Sequence, residues 1–320
     1  MNMTVDHSPA VPLNHWGVIR ARGVDATKFL HGQLTQDVLQ LGRSQARLAG
    51  YCSAKGRLLA SFVMWMPADD EVLLACHASV LSATLKRLSM FVMRAQCRLS
   101  DATAEVGLLG VTGDRARIST EGLPDWGKRN DADGCWIKLP AVAGVARAWH
   151  APNASISDTS PASPVQIADP QALAAWQLLE IESGIVTIEL STVDQFVPQM
   201  LNFELIGAVN FQKGCYPGQE VVARSQYRGT TKRRTLLFAC EAPLAAGEEV
   251  FHSADAAQPA GLVAGAAQVP CASGASPSYR ALVEVKLAAL ESGSLHLGTV
   301  DGALLTPCPM PYEVLGVEHV

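Results

Sequence analysis

Cys215 stands in the stretch FQKGCYPGQEVVAR (211–224), between Gly214 and a Tyr216-Pro217-Gly218 turn, with Lys213 two residues upstream. The thiolate is the reactive form of cysteine, and nearby positive charge favours it. Lys213 supplies such a charge, and the free amides of a helix beginning in PGQEVVAR would add to it. Gly214 and Gly218 permit backbone shapes that other residues resist, so the thiol can stand exposed at a loop-to-helix junction. The chemistry would be nucleophilic or metal-ligating. The competing reading is a small side chain filling a tight turn. No histidine lies nearby in sequence, which weakens a hydrolase-type Cys–His pair. The other seven cysteines lack such a setting, and no two are spaced as CxxC or CxxxC, so a local metal knuckle is excluded.

Three further groups have chemical potential. Glu182, with Glu180 close by, falls near the C-terminal end of a helical stretch, where a carboxylate opposes the helix dipole. It is either solvated there or held to bind a ligand's N–H groups. Trp16 and Trp176 serve either as core or as a stacking platform for a flat heterocycle. Arg224, Arg228, Lys232, Arg233 and Arg234 crowd one segment, as a solvated face or as a grip on carboxylates and phosphates. There is no GxSxG, Walker A, HExxH or EF-hand motif, and Gly107, Gly110 and Gly113 do not fit GxGxxG.

The elements that must position these residues follow from periodicity. GVDATKFLHGQLTQDVLQL predicts a helix capped by Asp25, with Phe29, Leu30, Leu34 and Val38 inward. A turn at Lys55-Gly56 leads into a buried strand, and EVLLACH is its hairpin partner. SVLSATLKRLSMFVM predicts a helix with Ser79 as a candidate cap. Residues 151–169, rich in Ala, Ser and Pro, read as a loop or linker. DPQALAAWQLLEIESG predicts a helix capped by Asp169, with Pro170 in its first turn and Gly184 at its end. From 235 the pattern becomes short β-rich runs between Gly- and Pro-containing turns, which predicts a small barrel.

With 320 residues, 48% hydrophobic and 17% charged, the chain is long enough for two or three globular domains. The net charge of −5 argues against non-specific nucleic-acid binding. The start has no signal-peptide pattern, and no apolar run reaches the roughly 18 residues a membrane span needs. A soluble, cytoplasmic protein with reduced cysteines is expected.

The segment 196–234 resembles the signature of the YgfZ family, folate-binding proteins related to the glycine-cleavage T protein, an aminomethyltransferase. Its KGCYxGQE core is present as Lys213 through Glu220. WGVIRARGVDATKFLHGQLTQDV is similar to the family's first strand and helix, GYCSAKGRLLASF to its AKG turn, and WQLLEIESGI to its LxIExG helix end. The resemblance implies an α+β, three-part, ring-like fold around a central opening for tetrahydrofolate or a derivative. It implies a body over 1–234, with interleaved subdomains of about 1–45 with 165–234 and 46–164, and a C-terminal β-barrel over 235–320.

By motif position, Trp16, Trp176 and Glu182 fall at the folate site, and Cys215 with Lys213 forms the reactive group. Arg224 and Arg228 are further candidates for holding the cofactor. The implied role is support of iron–sulfur enzymes, including those that thiolate tRNA, with no resident metal and no direct grip on nucleic acid or membrane. T proteins carry an Asp-Asp pair after the turn at Gly56. Here that place holds Ala60-Ser61, so ordinary aminomethyl transfer lacks its carboxylate. A one-carbon transferase using another amine is the alternative.

Overall fold

The computed structural model describes residues 10–153, 169–228, 231–271 and 276–314. In chain order the first elements are β1 (Val11–Pro12), β2 (Trp16–Arg22), α1 (Ala26–His31), β3 (Ala46–Cys52), β4 (Leu58–Ala68), β5 (Glu71–His77) and α2 (Ala78–Val92). Then come β6 (Arg98–Asp101), α3 (Thr103–Val106), β7 (Leu109–Thr112), α4 (Gly113–Ser119), β8 (Lys128–Asn130), β9 (Gly134–Val142), β10 (Val145–Pro152), α5 (Pro170–Glu182) and α6 (Gln219–Arg228). The last strands are β11 (Arg233–Cys240), β12 (Glu249–His252), β13 (Gly261–Val269), β14 (Ser278–Lys286), β15 (Leu295–Leu297) and β16 (Leu304–Cys308).

Three sheets organise them. One runs β3-β4-β5-β2-β6, a second β1-β7-β10-β9-β8, and β11 to β16 close into a six-stranded barrel. The expected barrel is therefore present. The strand pairing does not break near residue 45, because β2 bonds to β5 and β6. β1 crosses to the second sheet, where it pairs with β7, and β2 to β6 make up the first. Most of the expected 151–169 linker lies outside the described residues.

β4 shows why the layers pack as they do. Successive side chains of a strand point to opposite faces. Val63 and Trp65 enter the central core, while Ala60, Phe62 and Met64 enter a separate core under α1 and α2. Ser61 shares the register of Val63 and Trp65 and so faces the centre. The central core draws on all three sheets, joining Trp16, Trp149, Trp176, Phe203 and the barrel residues Leu237, Ala264 and Leu282.

Two expected helix starts differ. α1 stops after six residues, at Gly32, instead of running through Val38. Asp25 leaves the helix uncapped and accepts a 2.8 Å bond from Gln96 N. α2 begins after His77, whose ring accepts from Ser79 N, so the histidine takes the capping place expected of Ser79. α5 is as expected: Asp169 Oδ1 accepts from Gln171 N at 3.1 Å, and Gly184 follows the end with a φ of 71°.

Candidate functional site: a tryptophan-lined cavity and an exposed thiol

A cavity opens where the two open sheets meet α5. Trp16, Trp126 and Trp149 give it aromatic walls, and Ser61, Arg147 and Glu180 are among its polar groups. Trp16 and Trp149 meet edge to face at 4.8 Å.

Glu180 organises this wall. Residues four apart on a helix share a face, so Trp176 and Glu180 of α5 meet, and Trp176 Nε1 donates to Glu180 Oε1 at 2.7 Å. Trp16 Nε1 donates to the same oxygen at 2.8 Å, and His15 Nε2 lies 2.8 Å from Oε2. The carboxylate thus ties β2 to α5. Arg147 of β10 completes the frame, donating to Leu179 O at 2.9 Å and twice to Pro140 O. Burial pushes its pKa down to about 10, against the pull of Glu180. Ser61 Oγ accepts from Ile188 N at 2.9 Å, so this neutral group on the cavity wall is already bonded. Two polar atoms of this frame are left over: His15 Nδ1 and Trp149 Nε1 are buried without a partner.

Behind Trp16 and Glu180 lies a second cavity, lined by His15, His77 and Glu189 and by Gly265 and Ala266 of the barrel. Burial raises the Glu189 pKa and lowers that of His77.

Cys215 lines neither of these cavities. It is exposed on the loop before α6. The loop rests on the Lys55-Gly56 turn through two glycines at positive φ: a Cβ at Gly218 would lie 2.6 Å from Gly56 Cα. Lys213 is buried, and its ammonium donates to His31 O and, at 2.7 Å, to Leu34 O. It also sits 5.0 Å above the Tyr216 ring. Burial pushes its pKa down to about 8, partly offset by Asp37 and Cys215.

The structure redistributes the expected site. Trp16 lines the cavity. Trp176 is only 1% exposed and packs against Gly110, where a Cβ would come within 2.6 Å of the indole. It supports the wall instead of forming it. Glu182 turns toward the barrel, with Oε1 3.7 Å from Arg280 Nε, and the cavity carboxylate is Glu180. The two lie two residues apart, so they project from opposite sides of α5. Lys213 holds the loop to the body through backbone carbonyls. Arg224 is exposed and pairs with Glu220 along α6, Arg233 pairs with Glu284, and Arg234 pairs with Glu204. The Arg228 side chain lies outside the described residues. Among the described residues, no three His, Cys, Asp or Glu side chains converge as a metal site, and no helix is long and apolar enough to cross a membrane.

Trp126, Trp149, Arg147 and Glu180 are the cavity residues that sequence reasoning missed. Trp126 and Trp149 carry no motif. Glu180 had the signal of its i, i+4 spacing from Trp176.

No protein-family model matches the chain. In fold it is similar to the glycine cleavage system aminomethyltransferase T from Bartonella henselae, with a TM-score of 0.66 and 17% identity, over 92% of this chain and 83% of that one. The expected T-protein architecture is therefore present. In sequence it is 32% identical over 238 residues to the tRNA-modifying protein YgfZ of Cronobacter sakazakii (strain ATCC BAA-894), covering 70% of this chain and 68% of that protein. With a match of that extent, the chain belongs to the YgfZ family.

Proposed function

We propose that the protein binds tetrahydrofolate or a derivative in the tryptophan-lined cavity and supports tRNA modification. In this reading it serves iron–sulfur enzymes that thiolate tRNA, in the cytoplasm, with Cys215 as its reactive group. The observation that carries the folate reading is the buried Trp149 Nε1–H without an acceptor beside a largely apolar, tryptophan-walled cavity. A pterin is flat and edged with acceptors, so it offers both stacking surface and a partner for that donor. The bound folate would supply or accept a one-carbon unit. Trp16, Trp126 and Trp149 hold the ring, and Arg147 and Glu180 keep the wall in place.

The alternative of an aminomethyl-type transferase finds little to work with. Glu180 already takes three N–H contacts, and Ser61 stands where T proteins have a carboxylate. Neither is free to move a proton in the manner of a general base.

Adding tetrahydrofolate is expected to quench tryptophan fluorescence. Trp149→Phe keeps most of the aromatic surface but loses the donor, and should weaken binding by about 5- to 10-fold. No quenching in the wild type would remove the folate reading. For the thiol, Cys215→Ala is expected to leave cells lacking the native protein deficient in thiolated tRNA; full activity from that variant would make the cysteine dispensable.

A further inference from the structure

The fold supplies the histidine that the sequence around Cys215 lacks. His31, at the end of α1, has Nε2 3.4 Å from the position a Cβ would take at Gly214, the residue before the thiol. On its other side, Nδ1 lies 3.1 Å from Asp37 Oδ1, a close electrostatic contact out of line for a hydrogen bond. Both side chains are largely covered, at 16% and 17% exposure. The Lys213 ammonium donates to the carbonyl of His31 itself. The thiol loop is therefore clamped onto the end of the helix that carries the imidazole. Glycine at 214 leaves the Nε2 edge uncovered on the side facing the loop.

We infer that His31, oriented by Asp37, is the proton-exchange partner of Cys215. The inference rests on the reading of Cys215 as the reactive group. The Asp37 carboxylate beside Nδ1 favours the tautomer protonated there, which leaves Nε2 with a lone pair, as a base requires. When Sγ forms a bond to an electrophile, the thiol proton passes to Nε2, and the electrophile's leaving group departs with its electron pair. The charged groups facing the pair are Asp37 and Lys213. Lys28 stands one turn earlier on α1, and Tyr216 lies beneath the Lys213 ammonium. Lys213 is engaged by two backbone carbonyls, which leaves the imidazole as the neighbouring base not already committed to a hydrogen bond.

The test is alkylation of the folded full-length protein by iodoacetamide, with the Cys215 peptide followed by mass spectrometry across about pH 6 to about pH 10. His31→Gln should slow the reaction about tenfold near neutral pH, and Asp37→Asn by a smaller factor. Both should meet the wild-type rate at the alkaline end, where thiols ionise unaided. An unchanged neutral rate in His31→Gln overturns the inference, and so does slowing by one constant ratio at every pH, which would be lost access. A neutral deficit in Lys213→Arg with His31→Gln silent overturns it in favour of the lysine. Failure of the underlying reading looks different: Cys215→Ala would support tRNA thiolation fully whatever the alkylation profile.

Discussion

At the scale of single residues, the instructive pair is Glu180 and Glu182. Both sit in the last turn of α5, and only one meets the cavity. Glu180 is the acceptor for two indole N–H groups and a contact for His15, so removing it strands several polar groups at once. An unmet buried donor costs about 1–3 kcal/mol. Glu180→Ala should lower stability by about 2–4 kcal/mol in urea unfolding, because the wall can relax around part of the loss. Glu182→Ala breaks only a partly exposed 3.7 Å contact to Arg280 and should stay within about 1 kcal/mol. Equal effects would mean that the two glutamates share the load. The motif match pointed to Glu182, whereas helix geometry favours Glu180, which follows Trp176 by one turn. The burial of Trp176 itself was not legible, because a tryptophan among Ala and Leu reads the same in a core or on a cavity wall. Gly110, which receives its indole, is far away in sequence.

Elements carry the same lesson through their ends. Phe29, Leu30, Leu34 and Val38 have helical spacing and all are buried, yet the helix ends at Gly32. Thr35 explains why. Its hydroxyl donates to Ala208 O and accepts from Gly50 N, and its carbonyl accepts from Asn210 N. Bonds to two distant segments, at Gly50 and at Ala208 to Asn210, compete with the local helix, and no local pattern announces them. The Cys215 loop was legible as an element, since its glycines and lysine are adjacent, but the direction of Lys213 was not. That direction has a consequence for stability. Burial lowers the folded pKa of Lys213 to about 8 from its ordinary 10.5, so between those values the unfolded chain holds the extra proton. Folding therefore strengthens with rising pH through that window. The stability of wild type relative to Lys213→Met should shift in favour of wild type from about pH 8 to about pH 10.5. Buried thiols such as Cys52 titrate in both proteins and cancel. A flat difference in urea midpoints would show that the ammonium is solvated.

For the whole molecule, the barrel was legible from its β-rich runs and turns, while its attachment to the body was not. The basic cluster before it looked like one surface feature. Three of its members are instead paired with carboxylates: Arg224 with Glu220 along α6, Arg233 with Glu284 on the neighbouring strand β14, and Arg234 with Glu204 of the body. Arg234 also donates to Gln199 O at 2.9 Å, and Asn202 Nδ2 donates to Thr235 O at 2.8 Å. At the other end of the barrel chain, Tyr312 Oη donates to Gly184 O at 2.7 Å, holding the residue that ends α5. The barrel is thus fixed to the helix that carries Glu180, and the cavity wall depends on that docking. Arg234 and Glu204 are both 6% exposed, so breaking the pair leaves a charge with little water. Glu204→Ala should cost about 3–5 kcal/mol, whereas replacing both residues by hydrophobic ones of similar volume should recover most of it. The single variant should also weaken folate quenching at temperatures where it remains folded, because the loosened barrel frees the end of α5. A destabilised variant with unaltered quenching would separate the docking of the barrel from the shape of the cavity.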